Sequence, residues 1–204
     1  MNAFQLLKED HQKVSGLFQQ LEPTTERAQK TRTELFARLK EELDIHARIE
    51  EAIFYPSIKQ AAETREIVLE GFEEHHVIKM LLKELEALPV DTEQWTAKLK
   101  VLQENVEHHV EEEENELFEK AEAALSEEQI EALGEQMEAE KERKQRGATK
   151  SSSKKKSASA NKSASKTKSA STAAKRARTT KKSGSKSSSK SSGSKGSKKS
   201  AKKR

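Results

Sequence analysis

The stretch Phe36-Ala37-Arg38-Leu39-Lys40-Glu41-Glu42-Leu43-Asp44-Ile45-His46-Ala47-Arg48-Ile49-Glu50-Glu51-Ala52-Ile53 decides the fold. Phe36, Leu39, Leu43, His46, Glu50 and Ile53 follow one another at alternating steps of three and four residues, so they share one face of an α-helix. Two members of that otherwise apolar face, His46 and Glu50, are polar. A buried helix face that carries a histidine and a carboxylate one turn apart has to be explained by chemistry as well as by packing.

The same period extends outward from this segment. Phe4, Leu7, His11, Val14, Phe18 and Leu21 precede Pro23; Phe72, His75, Ile78, Leu82 and Leu85 precede Pro89; Trp95, Leu99, Leu102, Val106, His109 and Glu113 form the last long stripe. No segment alternates as a strand does, so the sequence predicts an all-α domain. Connections of a few residues between four helices favour antiparallel neighbours and an up-down-up-down four-helix bundle. Ser126-Glu127-Glu128-Gln129 reads as a capping box, and Ile130, Leu133 and Met137 follow at helical spacing, which predicts a short fifth helix.

The chain also repeats itself. His46 and His109, and likewise Glu50 and Glu113, are 63 residues apart, while Glu9-Asp10-His11-Gln12 aligns with Glu73-Glu74-His75-His76. Each half is thus a helix pair carrying a His and then His-x-x-x-Glu.

A His and a Glu at i and i+4 lie about 6 Å apart on one helix face and can reach a common metal ion. His46 with Glu50 and His109 with Glu113 each supply a nitrogen and a carboxylate, and His11 and His75 add a nitrogen from the other helix of each pair. With Glu50 and Glu113 placed to bridge, two metals share these ligands and keep open positions for oxygen, peroxide or water. Imidazole and carboxylate ligation without sulfur points to iron, with manganese and zinc as the alternatives. A metal-free polar core is disfavoured, since an uncompensated buried carboxylate costs several kcal/mol against a net stability of about 5–15 kcal/mol. No Lys or Arg stands beside these residues in the stripe.

Phase separates the histidine doublets. His76 falls in line with Lys79 and Lys83, and His108 with Asn105, Glu112 and Asn115, so both are read as solvated or as neighbours of the ligands. Glu51 and Glu114, directly after the ligand carboxylates, are outer partners or alternative ligands, and Tyr55 is read as a packing residue.

Residues 1–140 resemble a hemerythrin-type HHE cation-binding domain, on His11, on His46 to Pro56, on His75 and on His109 to Phe118. The resemblance implies a four-helix bundle with a non-haem di-iron site. Oxygen-carrying hemerythrins have His-x-x-x-His on the third helix, whereas here Lys79 stands four residues after His75. This sets the chain apart from the carriers and beside HHE relatives associated with iron or oxygen sensing, redox stress and iron handling.

Charge divides the 204 residues into two polymers. Residues 141–204 hold 24 Lys+Arg and one acid, leaving 15 bases and 34 acids in residues 1–140. Beyond residue 140 the apolar side chains are all Ala, which predicts a disordered basic tail. Its Lys and Arg would neutralise phosphates of nucleic acid without reading sequence, because it has no aromatic to stack on a base. The absence of Cys excludes disulfides, thiolate metal sites and a thiol nucleophile. No apolar run approaches a bilayer span, and the N-terminus lacks a secretory signal, so no membrane partner and a cytoplasmic location, nucleoid-associated if the tail binds DNA, are expected.

The functional expectation is a di-iron binding protein, oxygen- or peroxide-responsive or iron-handling, carried to nucleic acid by its tail. The alternatives are a di-iron redox enzyme, a ferroxidase or a peroxide-consuming catalyst, and a histone-like DNA-compacting protein with an acidic regulatory bundle.

Overall fold

Asn2 begins the first helix: its side chain accepts the Gln5 N–H at 2.9 Å while the Gln5 side chain accepts the Asn2 N–H at 3.2 Å. In the computed structural model, which describes residues 1–166 with side chains through Arg146, this capped helix is α1 (Ala3–Leu21). The second long stripe forms α2 (Gln29–Ile49), which passes into a π-helical turn (Glu50–Phe54) and then α3 (Tyr55–Ile58). The third forms α4 (Ala62–Ala87). Thr92 caps α5 (Glu93–Glu112) by accepting the Trp95 N–H at 3.2 Å, and a second π turn (Glu113–Leu117) leads into α6 (Phe118–Ala124). No strand occurs among the described residues.

α1 packs on α2 as α4 packs on α5, and the four long rods form the antiparallel bundle expected from the short connections. Their apolar stripes build two clusters. One contains Val14, Phe18, Leu39, Leu82, Trp95 and Leu102; the other contains Leu7, Phe54, Tyr55, Val68, Leu117 and Phe118. The polar stripe residues His11, His46, His75 and His109 fall between these clusters in sequence on every rod, so they form a layer with apolar packing above and below. A buried cation lies elsewhere: Arg32 donates to the carbonyls of Thr24 at 2.7 Å and Val90 at 2.8 Å and covers the Trp95 ring.

The predicted capping box is present, Ser126 N–H donating to Gln129 Oε1 at 2.9 Å and Gln129 N–H to Ser126 Oγ at 3.3 Å. It opens α7 (Glu127–Lys166), which is longer than the short helix expected and runs past residue 140. The run from Glu138 to Arg146 contains strong helix formers and neither Gly nor Pro, so nothing local stops it at the boundary set by composition. Ile130, Leu133 and Met137 join the second apolar cluster, and Gly134 lets α7 pass close to the N-terminus, where a Cβ would overlap the backbone of Met1 to Ala3. Residues 1–154 form one unit. Of the basic tail expected over residues 141–204, the part beyond Lys166 lies outside the described residues, and with it the expected disorder and nucleic-acid contacts there.

Candidate metal centre

Both π turns begin on a predicted ligand, Glu50 in one half of the chain and Glu113 in the other. In each the backbone hydrogen bond spans five residues, from Tyr55 N–H to the Glu50 carbonyl and from Phe118 N–H to the Glu113 carbonyl. Pro56, which has no N–H, gives the first turn a local cause, but Glu119 occupies the corresponding place in the second. The shared feature is the inward carboxylate. The wider turn also brings two consecutive large side chains into the core, Phe54 with Tyr55 and Leu117 with Phe118.

All six predicted site residues, His11, His46, Glu50, His75, His109 and Glu113, are buried and converge. His46 Nε2 lies 3.2 Å from Glu50 Oε1, His75 Nε2 lies 3.1 Å from Glu50 Oε2, and the Nε2 atoms of His75 and His109 are 3.2 Å apart. Glu113 Oε2 stands 3.4 Å from His11 Nε2 and 3.8 Å from His109 Nε2. Beside a more exposed group of Glu74, His108 and Glu112, two groups drawn from the six have the spacing to hold an ion, His11 with His46, Glu50 and Glu113, and Glu50 with His75 and His109. Glu50 belongs to both.

The electrostatics show strain that a cation would relieve. Both oxygens of Glu50, Oε2 of Glu113, Nε2 of His11 and both ring nitrogens of His46 are buried without a hydrogen-bond partner among the described residues. Burial, and then the charge of Glu113, push the Glu50 carboxyl well above the usual carboxylate range. Glu113 is instead held low: burial opposes ionisation, but His109 and His11 overcome it. His11 and His109 are raised against the effect of burial, mainly by Glu113, while burial and the neighbouring His11 drive His46 well down. A cation among these atoms would let both carboxylates ionise and all four imidazoles stay neutral, so the donor set fits bound metal.

A surrounding layer orients the rings. Glu114 meets His11 Nδ1 at 2.7 Å, Glu51 meets His75 Nδ1 at 3.0 Å and Glu74 meets His109 Nδ1 at 2.7 Å. Each such contact fixes an N–H on Nδ1 and turns the Nε2 lone pair to the centre. Glu51 also pairs with Lys79, and the contacts from His75 and Lys79 lower its carboxyl to about 2. Lys79, the residue that departs from the carriers, therefore supports an outer carboxylate. Beside the four imidazoles is a cavity of about 10 Å³ walled by Val14, Leu43, Ile78, Val106 and Val110.

Two residues had a larger role than the sequence suggested. Tyr55 is more than packing: its hydroxyl donates to Glu113 Oε1 at 2.8 Å. Glu74 is not among the residues that helical phase singles out, although its place in the repeat, immediately before a ligand histidine, is a usable signal. His76 is exposed, and exposed His108 stands 3.7 Å from Glu74 and close to Glu112, so both remain outside the buried centre.

Comparison with known proteins gives the family and the fold. Residues 2–121 match the Hemerythrin HHE cation binding domain. A solved structure of a hemerythrin HHE cation binding domain-containing protein from Mycobacterium kansasii superposes with a TM-score of 0.65 at 28% identity, covering 73% of this chain and 90% of that one. A curated protein named DNA nickase, from Nostoc sp., is 29% identical over 144 residues, 69% of this chain. The chain matches only 39% of that relative's length.

Proposed function

Because the chain belongs to the hemerythrin HHE cation-binding family, we propose that it is a non-haem di-iron protein that responds to oxygen or peroxide, or handles iron, and that its tail holds it on nucleic acid. The ligands in this reading are His11, His46, Glu50, His75, His109 and Glu113. The observation that carries it is the convergence of buried ring nitrogens and carboxylate oxygens in two groups sharing Glu50, several of them without a partner.

A bound iron pair supplies one-electron exchange with a small oxidant. The chain supplies the rest. Glu51, Glu74 and Glu114 hold protons on the outer nitrogens of three imidazoles and so keep the inner nitrogens basic. Tyr55 anchors Glu113, and apolar side chains wall the small cavity against the imidazoles, which keeps bulk water from the ligands. Manganese or zinc would fit the same donors, and zinc would remove the redox role.

The experiment is metal analysis of full-length protein purified without a His-tag, followed by oxygen and then peroxide added to the reduced protein. Two irons per chain and a change in visible absorption are expected. Stoichiometric zinc with no spectral response would overturn the redox reading.

The name of the Nostoc relative favours a second reading, an enzyme that acts on the DNA held by its tail. Metal-dependent relaxation of supercoiled plasmid, lost in His46→Ala, would favour it over a binding module.

A further inference from the structure

The outer carboxylates follow the internal repeat with one exception. Glu114 on His11 corresponds to Glu51 on His75, since the residues after the two π-turn glutamates each reach a histidine of the other half. Glu74 on His109 should likewise have a counterpart, and the repeat places Asp10 at the position of Glu74 and His46 at that of His109. That contact is not made. His46 Nδ1 is buried without a hydrogen-bond partner among the described residues, and it alone of the four ligand imidazoles has no outer carboxylate.

Asp10 is itself buried, with 2% exposure, and is engaged elsewhere. It accepts from Lys13 at 3.1 Å and from Lys141, which α7 brings across 131 residues of chain. The Lys141 side chain is only 12% exposed, unlike that of Lys13 at 49%. One residue earlier, Glu140 stands 3.6 Å from Arg48, two residues beyond His46, so α7 contacts both helices that carry this half of the centre.

We propose that Lys141 withholds Asp10 from His46 and thereby makes the group His11, His46, Glu50 and Glu113 the exchangeable half of the metal centre. This rests on the metal reading above. An imidazole without an outer carboxylate is a weaker donor and is free to turn, and such partners typically change metal affinity by about 10–100-fold. Asp10 is thus a positioning residue, and the docking of α7 decides where its carboxylate goes. Movement of α7 off the bundle releases Asp10 to His46 and tightens that half.

The test uses full-length protein with iron as the probe. Loss of iron to excess chelator should be biphasic in the wild type. Lys141→Met keeps the aliphatic stem and should slow the fast phase by about 10-fold or more, while Asp10→Ala with Lys141→Met should restore fast loss. In metal-free protein, ¹⁵N shifts of the His46 ring should show a hydrogen-bonded Nδ1–H in Lys141→Met but not in the double variant. Equal release from the single and double variants, with two irons bound in each, would overturn the inference and leave the metal reading intact. Wild-type protein that binds no metal would remove the metal reading. In that case unchanged His46 shifts in Lys141→Met would overturn the Asp10 exchange separately.

Discussion

The Tyr55 hydroxyl donates a 2.8 Å hydrogen bond to Glu113 Oε1, so the aromatic that follows the first π turn secures the carboxylate that opens the second. The two halves of the repeat are therefore interlocked at the centre. Burial and the nearby Glu113 push the Tyr55 hydroxyl well up, which keeps it a donor. Tyr55→Phe should lower stability by about 1.5–3 kcal/mol, the usual value of a hydrogen bond to a charged group. Gly71→Ala should act in the same direction, because its Cβ would stand 2.8 Å from the Tyr55 hydroxyl. Denaturant unfolding of both variants checks this, and a neutral Tyr55→Phe would mean that Glu113 has another donor.

Replacement of a converging histidine should differ sharply from replacement of its exposed neighbour. His46→Ala should lose at least one metal per chain, and His76→Ala, on a solvated face, should retain both. Metal content by mass spectrometry measures this. Loss confined to His76→Ala would refute the phase assignment within the doublets.

Removal of metal should destabilise the bundle, and more so at higher pH. Ligation adds about 2.7 kcal/mol when free metal is about 100 times its dissociation constant. In the metal-free protein the raised His11 and His109 contribute stability that is complete below 6.5 and lost as pH rises through their folded values. Glu50, raised from 4.5, has the same sign. His46, driven down from 6.5, contributes stability that is complete above that pH and lost only as pH falls toward its folded value, and Glu113, lowered from 4.5, sets the acid limb. With His11 and His109 raised from 6.5 and His46 level above it, the metal-free protein should melt progressively earlier as pH climbs above 6.5. Metal binding, which needs those protons removed, should strengthen over the same range. Melting curves with and without chelator across neutral pH would show the gap widen, and a constant gap would contradict the proton coupling.

Full-length protein should bind duplex DNA without sequence preference, and a chain ending at residue 140 should not, because 24 Lys+Arg against a single acid lie beyond it. Each phosphate neutralised contributes about −0.9 to the slope of log K against log salt. Affinity should therefore fall steeply toward physiological ionic strength, as a filter-binding titration would register. Equal affinity of the truncated chain, or an affinity indifferent to salt, would end the nucleic-acid reading.

The helical period, the absence of strand alternation and the phase of His11, His46, Glu50, His75, His109 and Glu113 were legible in the sequence, because they are properties of one helix at a time. Apolar burial forces each stripe inward, and a polar residue in phase with the stripe goes with it. The repeat at 63 residues went further and paired the halves. The remaining features depend on distances between helices, which no single helix specifies. Which carboxylate reaches which Nδ1, whether Tyr55 meets Glu113, and whether Asp10 turns to His46 or Lys141 are set by the rotation and separation of packed rods. The π turns at Glu50 and Glu113 belong with these, since a change of backbone register leaves the hydrophobic spacing before it intact and appears only where the next side chains, Tyr55 and Phe118, find their places in the core.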